Sequence, residues 1–280
     1  FTLREDDFLF VKLGNLKPKC APLRYAPPDA SVQRAEARLA AIVKREFPQG
    51  VGELKKQLFS FVEELSSPAP SASNADRQDV SPQYCYSYFG LYGDPLFDTD
   101  NDPYPDGYLA RLAHAGVDGV WLQAVLSKLH PFPWDARLSE GYEKRLANLR
   151  RLVARAKRHG VRVFLYLNEP RAMPLRFFED HPELKGTVEG DYAALCTSVP
   201  DVQAYLRNAI AAICRAVPDL GGFFTITMSE NLTNCWSHYA AQTCPRCAAR
   251  PGPEVIAEVN RLFAEGISSA GGKQELIVWD

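Results

Sequence analysis

Beyond residue 83, apolar residues follow two alternating patterns along the chain. Short runs rich in β-branched and aromatic residues predict strands at 84–91, 118–124, 161–167, 222–228 and 275–279. Between these runs, apolar residues at helical spacing predict helices at 106–115, 140–159, 202–213 and 253–269. The second half of the sequence is therefore predicted to alternate strand and helix.

This alternation is typical of an α/β fold in which helices connect parallel strands. Both an open doubly wound sheet and a (β/α)8 TIM-type barrel satisfy the pattern. The segments after the strands are long and rich in aromatic and acidic residues, which favours the barrel, because barrels place their chemistry on such loops. Five strand–helix units are visible in the sequence, so the C-terminal part of the barrel is expected to be missing.

The N-terminal region differs from this pattern. A short strand is predicted at 8–13, with helices at 31–47 and 51–65, before the Ser-, Pro- and Ala-rich stretch 66–74. We therefore predict an accessory region with a linker at 1–75 and a (β/α) barrel at 76–280.

Composition excludes several classes of partner. The 280-residue chain is 46% hydrophobic and 24% charged, with a net charge of -2 and no basic cluster, which argues against nucleic acid and anionic membranes. No apolar run approaches the roughly 18 residues of a membrane span. The seven cysteines do not form the even framework of a secreted, disulfide-rich domain, which favours a cytoplasmic location. Cys85, Cys196 and Cys214 lie in apolar segments and are predicted to be small buried hydrophobic residues.

Carboxylates follow three of the predicted strands. Glu230 comes at the end of the run that begins at Gly222 and continues through Met228 and Ser229. Glu169 follows the third predicted strand, and Asp280 follows the fifth. Since barrel enzymes carry catalytic groups at the C-terminal ends of strands, we predict Glu230 as a general acid, with Glu169 or Asp280 as its partner. The alternatives are a loop cap for Glu230 and a structural ion pair between Glu169 and Arg171.

Aromatic and polar residues accompany these acids. Sugars stack their C–H faces on aromatic rings and exchange hydrogen bonds through their hydroxyl groups. The alternative is that the aromatic residues simply pack beneath a loop. The candidate sugar contacts are Tyr92, Asp94, Trp121, Gln123, His130 and Asn231.

A cluster of potential metal ligands follows Glu230. Cys235 and His238 are three residues apart, as are Cys244 and Cys247, a spacing that can close a tetrahedral zinc site. Such a zinc would be structural, because four protein ligands leave no open position. A disulfide and free thiols remain alternatives, and no organic cofactor is predicted.

The region from Gln83 to Asp280 resembles the barrel of family-twenty glycoside hydrolases, the β-N-acetylhexosaminidases, and their relatives. The resemblance rests on Ala154–Val163, on Leu195–Ser198 and on the acid that ends the fourth strand, with Trp279-Asp280 after the fifth. It implies a general acid at Glu230. That family pairs its acid with a preceding Asp, whereas this chain has Ser229, so the resemblance does not carry over acetamido-assisted chemistry.

These observations together predict a glycoside hydrolase that cleaves an O-glycosidic bond of a carbohydrate substrate. A catalytically silent carbohydrate-binding barrel is the alternative from a different class. A zinc-dependent hydrolase is a third possibility, which a closed set of four ligands opposes.

Overall fold

The computed structural model describes most of the chain beyond residue 81. The described residues are 37, 40, 41, 44, 45, 82–87, 90, 94–98, 102–228, 231–238 and 241–279. Residue contacts divide the chain into two units, Phe1–Glu64 and Leu65–Asp280. In the first unit the five described residues are helical and fall within the helix predicted at 31–47. The predicted strand 8–13 and helix 51–65 lie outside the described residues, and the predicted boundary near 75 stays a prediction.

Helices and strands alternate through the second unit as the sequence predicts. None of the helices in the described part of the chain is long and apolar enough to cross a membrane. The elements in chain order are β1 (Tyr84–Tyr86), α1 (Asp106–His114), β2 (Gly119–Ala124), α2 (Tyr142–Arg158), β3 (Arg162–Leu167), β4 (Met173–Pro174), α3 (Phe177–Asp180), β5 (Lys185–Glu189), β6 (Tyr192–Leu195), α4 (Pro200–Ala216), β7 (Gly222–Thr225), α5 (Gly252–Ser269) and β8 (Glu275–Val278).

Five strands form one parallel sheet in the order β1-β2-β3-β7-β8. This confirms the predicted α/β fold with parallel pairing. Within the described residues, spatial order follows chain order and never reverses. A doubly wound sheet requires a reversal, whereas right-handed crossovers in unbroken order place every helix on one face, as in a barrel.

The face of the sheet that carries Val120, Leu122, Val163 and Leu165 packs against the helices, and these four side chains are fully buried. The helices present apolar stripes to this face, for example Leu149 and Leu152 on α2, Leu206 and Ile210 on α4, and Val259 and Phe263 on α5. Burial of these stripes is the main stabilising contribution to the sheet and helix layers.

The opposite face of the sheet is concave. The hydroxyl of Tyr84 on β1 lies 3.5 Å from Oε2 of Glu275 on β8, although three strands separate them in the sheet. In a flat sheet, four steps of about 4.8 Å would hold these strands about 19 Å apart, beyond the reach of the two side chains. The sheet is therefore strongly curved, with the curvature of a barrel wall.

Three rings fill the concave face near the N-terminal ends of the strands. Tyr84, Phe164 and Phe224 meet edge to face, with centroids 5.0, 5.1 and 5.4 Å apart. Gly119 makes this packing possible, because a Cβ there would lie 2.7 Å from the Tyr84 ring and 2.8 Å from the Phe164 ring.

A small antiparallel sheet, absent from the sequence-based prediction, lies between β3 and α4. Its strand order is β4-β6-β5, and β5 and β6 form a hairpin that turns at Gly190, whose φ is +57°. Glycine tolerates this left-handed conformation without the steric cost of a Cβ. The segment from Asn168 to Val199, which follows β3, is thus an ordered part of the fold.

Candidate functional site

Three aromatic side chains form a row on the concave face, which we call the aromatic row. Tyr86, Trp121 and Tyr166 come from β1, β2 and β3, with centroids 4.6 Å apart for the first pair and 5.0 Å for the second. Side chains of a strand alternate between faces, which places these three on the side opposite the helices. Tyr86 is 49% exposed, so the row presents ring surface to solvent.

Amide side chains adjoin the row at the strand ends. Asn168, directly after β3, donates from Nδ2 to the Tyr166 hydroxyl at 3.3 Å and to the Ile226 carbonyl at 3.2 Å. Asn231 donates to Oδ1 of Asn168 at 3.4 Å. The end of β3 is therefore tied to the segment that follows β7, and the predicted contact Asn231 lies beside the row.

Glu169 is a buried carboxyl group at the end of β3. It is only 3% exposed, and its two oxygens accept hydrogen bonds from the backbone N–H groups of Leu126 at 2.8 Å and Arg171 at 2.9 Å. Burial raises the pKa of Glu169 to about 7, against the opposing effects of the Arg171 charge and the two hydrogen bonds. The carboxyl group can therefore hold or release a proton near neutral pH.

A cavity of about 280 Å³ opens beside the end of β2. Its lining includes the predicted contacts Asp94 and Gln123, together with Lys128, Arg145 and Arg171. Oδ2 of Asp94 lies 3.2 Å from Lys128 Nζ and 2.9 Å from Arg145 Nη2. Asp94 thus orders two cationic groups of the wall, those of Lys128 and Arg145. Gln123 shares its face of β2 with Trp121.

Of the remaining predicted acids and sugar contacts, the structure describes His130 alone. His130 is absent from the cavity lining, and its ring lies 6.3 Å from that of Tyr205 on α4. Burial lowers the pKa of His130, which favours the neutral ring. Tyr92, Glu230 and Asp280 lie outside the described residues, so their predicted roles stay predictions.

Four cysteines converge in a second location, which we call the cysteine group. The sulfur atoms of Cys196, Cys235, Cys244 and Cys247 all lie within 4.8 Å of one another, and all four residues are buried and free of disulfides. Hydrogen bonds from the other three thiols lower the pKa of Cys196. A buried group of four sulfur ligands could hold a metal ion.

The cysteine group differs from the predicted ligand set in one member. His238 does not belong to the cysteine group; its Nδ1 lies 2.6 Å from Oε2 of Glu189 at the end of β5. Cys196 takes the fourth position, although its apolar surroundings in the sequence indicated a small buried hydrophobic residue. A signal was present, because three clustered cysteines at 235, 244 and 247 invite a search for a fourth sulfur elsewhere in the chain.

Comparison with known proteins finds similarity only among solved structures. No protein-family model matches the chain, and no curated protein matches it. The chain is similar to GH5_18 from Streptomyces cattleya in complex with Manb1-4GlcNAc, at 15% identity and a TM-score of 0.41, over 71% of this chain and 44% of that one. It is also similar to PbGH5A, a glycoside hydrolase family 5 enzyme from Prevotella bryantii B14, at 12% identity and a TM-score of 0.44, over 76% and 58%.

A third similar structure is the alpha-L-fucosidase isoenzyme 2 from Paenibacillus thiaminolyticus, at 15% identity and a TM-score of 0.40, over 61% of this chain and 28% of that one. The chain spans less than two thirds of the length of each of these three structures. Glycoside hydrolases are thus among its structural neighbours, but TM-scores below 0.5 assign the chain to no family. The predicted resemblance to family twenty in particular stays a prediction.

Proposed function

We propose that this protein is a glycoside hydrolase that binds its carbohydrate substrate on the concave face and at the C-terminal edge of the parallel sheet. The observation that carries the proposal is the partly exposed aromatic row of Tyr86, Trp121 and Tyr166 beside the side-chain amides of Asn168 and Asn231. Ring faces accept the C–H groups of a sugar, while amides exchange hydrogen bonds with its hydroxyl groups. The C-terminal edge is also where barrel enzymes carry out their chemistry.

Two carboxyl groups would share the chemistry. Glu230 is the proposed general acid, on the sequence argument that it comes directly after the strand predicted at 222–228. Glu169 is the candidate partner that suits proton transfer, since a pKa of about 7 matches the working pH of a general acid or base. Asp280 is the other candidate, and the separation of the pair decides between retention and inversion.

The metal suited to the cysteine group takes no part in this proposed chemistry. Four cysteine sulfurs fill all four positions of a tetrahedral zinc ion, which leaves none for water or substrate. We therefore propose a structural zinc and no organic cofactor, which separates this proposal from a zinc-dependent hydrolase.

Substitution of Glu230 by Gln tests the proposal, because Gln keeps the shape of the side chain and removes its dissociable proton. Cleavage of a substrate with a poor leaving group should fall by about a hundredfold or more. An activated phenol leaves with little protonation, so cleavage of its glycoside should fall much less. The matched control is Glu254→Gln at the exposed start of α5, which should leave both rates unchanged.

Equal losses for both substrates in a folded Glu230→Gln protein would contradict the acid role. A catalytically silent carbohydrate-binding protein is the second candidate, because the aromatic row explains sugar binding without any acid. In that case the parent protein would bind sugars without turnover, Trp121→Ala would abolish binding, and Glu230→Gln would not affect it.

A further inference from the structure

We propose that Cys196, Cys235, Cys244 and Cys247 bind one zinc ion as four thiolates, and that this ion clamps together the segments that follow β3 and β7. The proposal is independent of the proposed glycosidase activity. Its observations are the spacing of the sulfur atoms, the direction of the hydrogen bonds that reach them, the surrounding charge and the position of each cysteine in the fold.

Two of the sulfur–sulfur separations match those of a tetrahedral zinc site. Zn–S bonds of about 2.3 Å at tetrahedral angles place the sulfurs about 3.8 Å apart. The Cys196 sulfur lies 3.7 Å from that of Cys244 and 3.6 Å from that of Cys247. A disulfide would instead join two sulfurs at about 2.05 Å.

The hydrogen bonds around the sulfurs run toward them. Arg246 donates from Nε to the Cys196 sulfur at 3.3 Å. Ser198 Oγ lies 3.3 Å from the Cys247 sulfur and accepts a hydrogen bond from Arg250 at 2.6 Å. Because an arginine can only donate, the Ser198 hydroxyl is left to donate its own proton to the Cys247 sulfur. Donors that point at sulfur favour thiolates, and such outer contacts orient metal ligands.

Positive charge adjoins the site. Four thiolates and one Zn²⁺ carry a net charge of about -2. Arg246 supplies one positive charge at the Cys196 sulfur. Arg250, which donates to Ser198, supplies a second that it shares with the carboxylate of Glu258 at 3.0 Å. A buried anionic centre needs such compensation, because an isolated charge is costly to remove from water.

The four ligands come from two different segments. Cys196 follows β6 and belongs to the stretch between β3 and α4, whereas the other three belong to the stretch between β7 and α5. β3 and β7 are hydrogen-bonded neighbours, so both segments rise from the same edge of the sheet. Backbone hydrogen bonds between β7 and α5 include local ones, such as Cys244 N–H to the Ala241 carbonyl and Cys247 N–H to the Cys244 carbonyl. Side chains already join the two segments, since Arg246 donates to the Lys185 carbonyl and Thr187 donates to the Cys235 carbonyl. A shared metal ion would add a stronger link at the same place.

The first test measures metal in the full chain, purified without chelator. We expect about one zinc per chain, released by a mercurial thiol reagent. Cys196→Ser should abolish zinc binding, His238→Ala should retain it, and Cys214→Ser, which changes a buried cysteine outside the cysteine group, is the matched control. If Cys196→Ser fails to fold, the zinc content of the wild-type and His238→Ala proteins still decides the proposal.

Several outcomes would overturn the zinc site. These are iron in place of zinc, a disulfide among the four cysteines in the native protein, or loss of zinc in a folded His238→Ala protein. The clamp is tested by trypsin: removal of zinc should speed cleavage after Arg246, while the sites within α2 stay protected. Unchanged cleavage after complete zinc removal would overturn the clamp. None of these measurements uses a sugar, so they remain informative if the glycosidase proposal fails.

Discussion

The parallel sheet and the cysteine group are stabilised by different means. The sheet relies on backbone hydrogen bonds between successive strands and on apolar side chains buried beneath the helices. The cysteine group gathers sulfurs from positions up to 51 residues apart, and its neighbours are held by side chains such as Arg246 and Ser198. A region of the first kind is specified by local patterns, whereas one of the second kind depends on where the finished fold brings distant residues.

The largest expected effect is on the sheet. Phe164 is fully buried on β3 and contacts the rings of Tyr84 and Phe224. Phe164→Ala should lower the free energy of unfolding by about 3–5 kcal/mol, because it removes these contacts and leaves a cavity. Urea denaturation measures the change, and Tyr192→Ala, at a half-exposed position on β6, should change stability far less. A loss below about 1 kcal/mol for Phe164→Ala would show that these rings contribute little to the sheet.

The next effect depends on pH and concerns Glu169, where sheet and loops join. Its pKa is about 7 in the folded protein and near 4.5 when exposed, so between these values the folded state binds more protons than the unfolded state. The free energy of unfolding should therefore fall as pH rises from about 4.5 to 7, by up to about 3 kcal/mol from this group.

Glu169→Gln should remove this contribution to the pH slope. It should also be destabilising at pH 5, because one of the two backbone N–H groups would then face an amide donor. Urea denaturation at pH 5 and pH 8 checks both expectations, with Glu254→Gln as the exposed control. Identical slopes in the Glu169→Gln and wild-type proteins would refute the raised pKa.

The smallest effect concerns the cysteine group. A Cβ on Gly186 of β5 would lie 2.6 Å from the Cys235 sulfur and 2.9 Å from the Ala194 carbonyl oxygen. Gly186→Ala should therefore displace the sulfur and weaken zinc binding, with a loss of about 1–3 kcal/mol in stability. A competition titration with a chromophoric chelator measures the affinity.

The control for this substitution lies in the same hairpin. Gly190→Ala is strained by its φ of +57° but has no neighbouring atom within 4 Å of the added carbon, so zinc affinity should stay unchanged. Equal zinc affinity in both variants would show that the sulfur positions tolerate displacement.

The sequence predicts the sheet well because each strand carries its own signal. The strands predicted at 118–124 and 161–167 match β2 at Gly119–Ala124 and β3 at Arg162–Leu167 within one residue. The hairpin of β5 and β6 was missed because its strands are short and one mixes polar with apolar residues, although Gly190-Asp191 between them is a turn signal.

The site is harder to predict because its properties depend on residues that are distant in the sequence and that the fold brings together. The position of Glu169 after a strand is visible in the sequence, but its burial depends on the loop that brings the Leu126 amide to it. Cys196 and His238 show the same limit. Sequence spacing favours His238 as the fourth ligand, whereas the fold places the sulfur of Cys196 beside the other three cysteines. The strand-end placement of Gln123 and Asn231 follows from the sequence, whereas the place of His130 beside Tyr205 does not.

The ring packing at Gly119 has an evolutionary consequence. Because a methyl group there would collide with both Tyr84 and Phe164, a mutation at this position alone is expected to be purged in any homologue that keeps the two rings. A larger residue could become fixed only alongside a smaller one at position 84 or 164. The three positions should therefore co-vary as a unit across homologues.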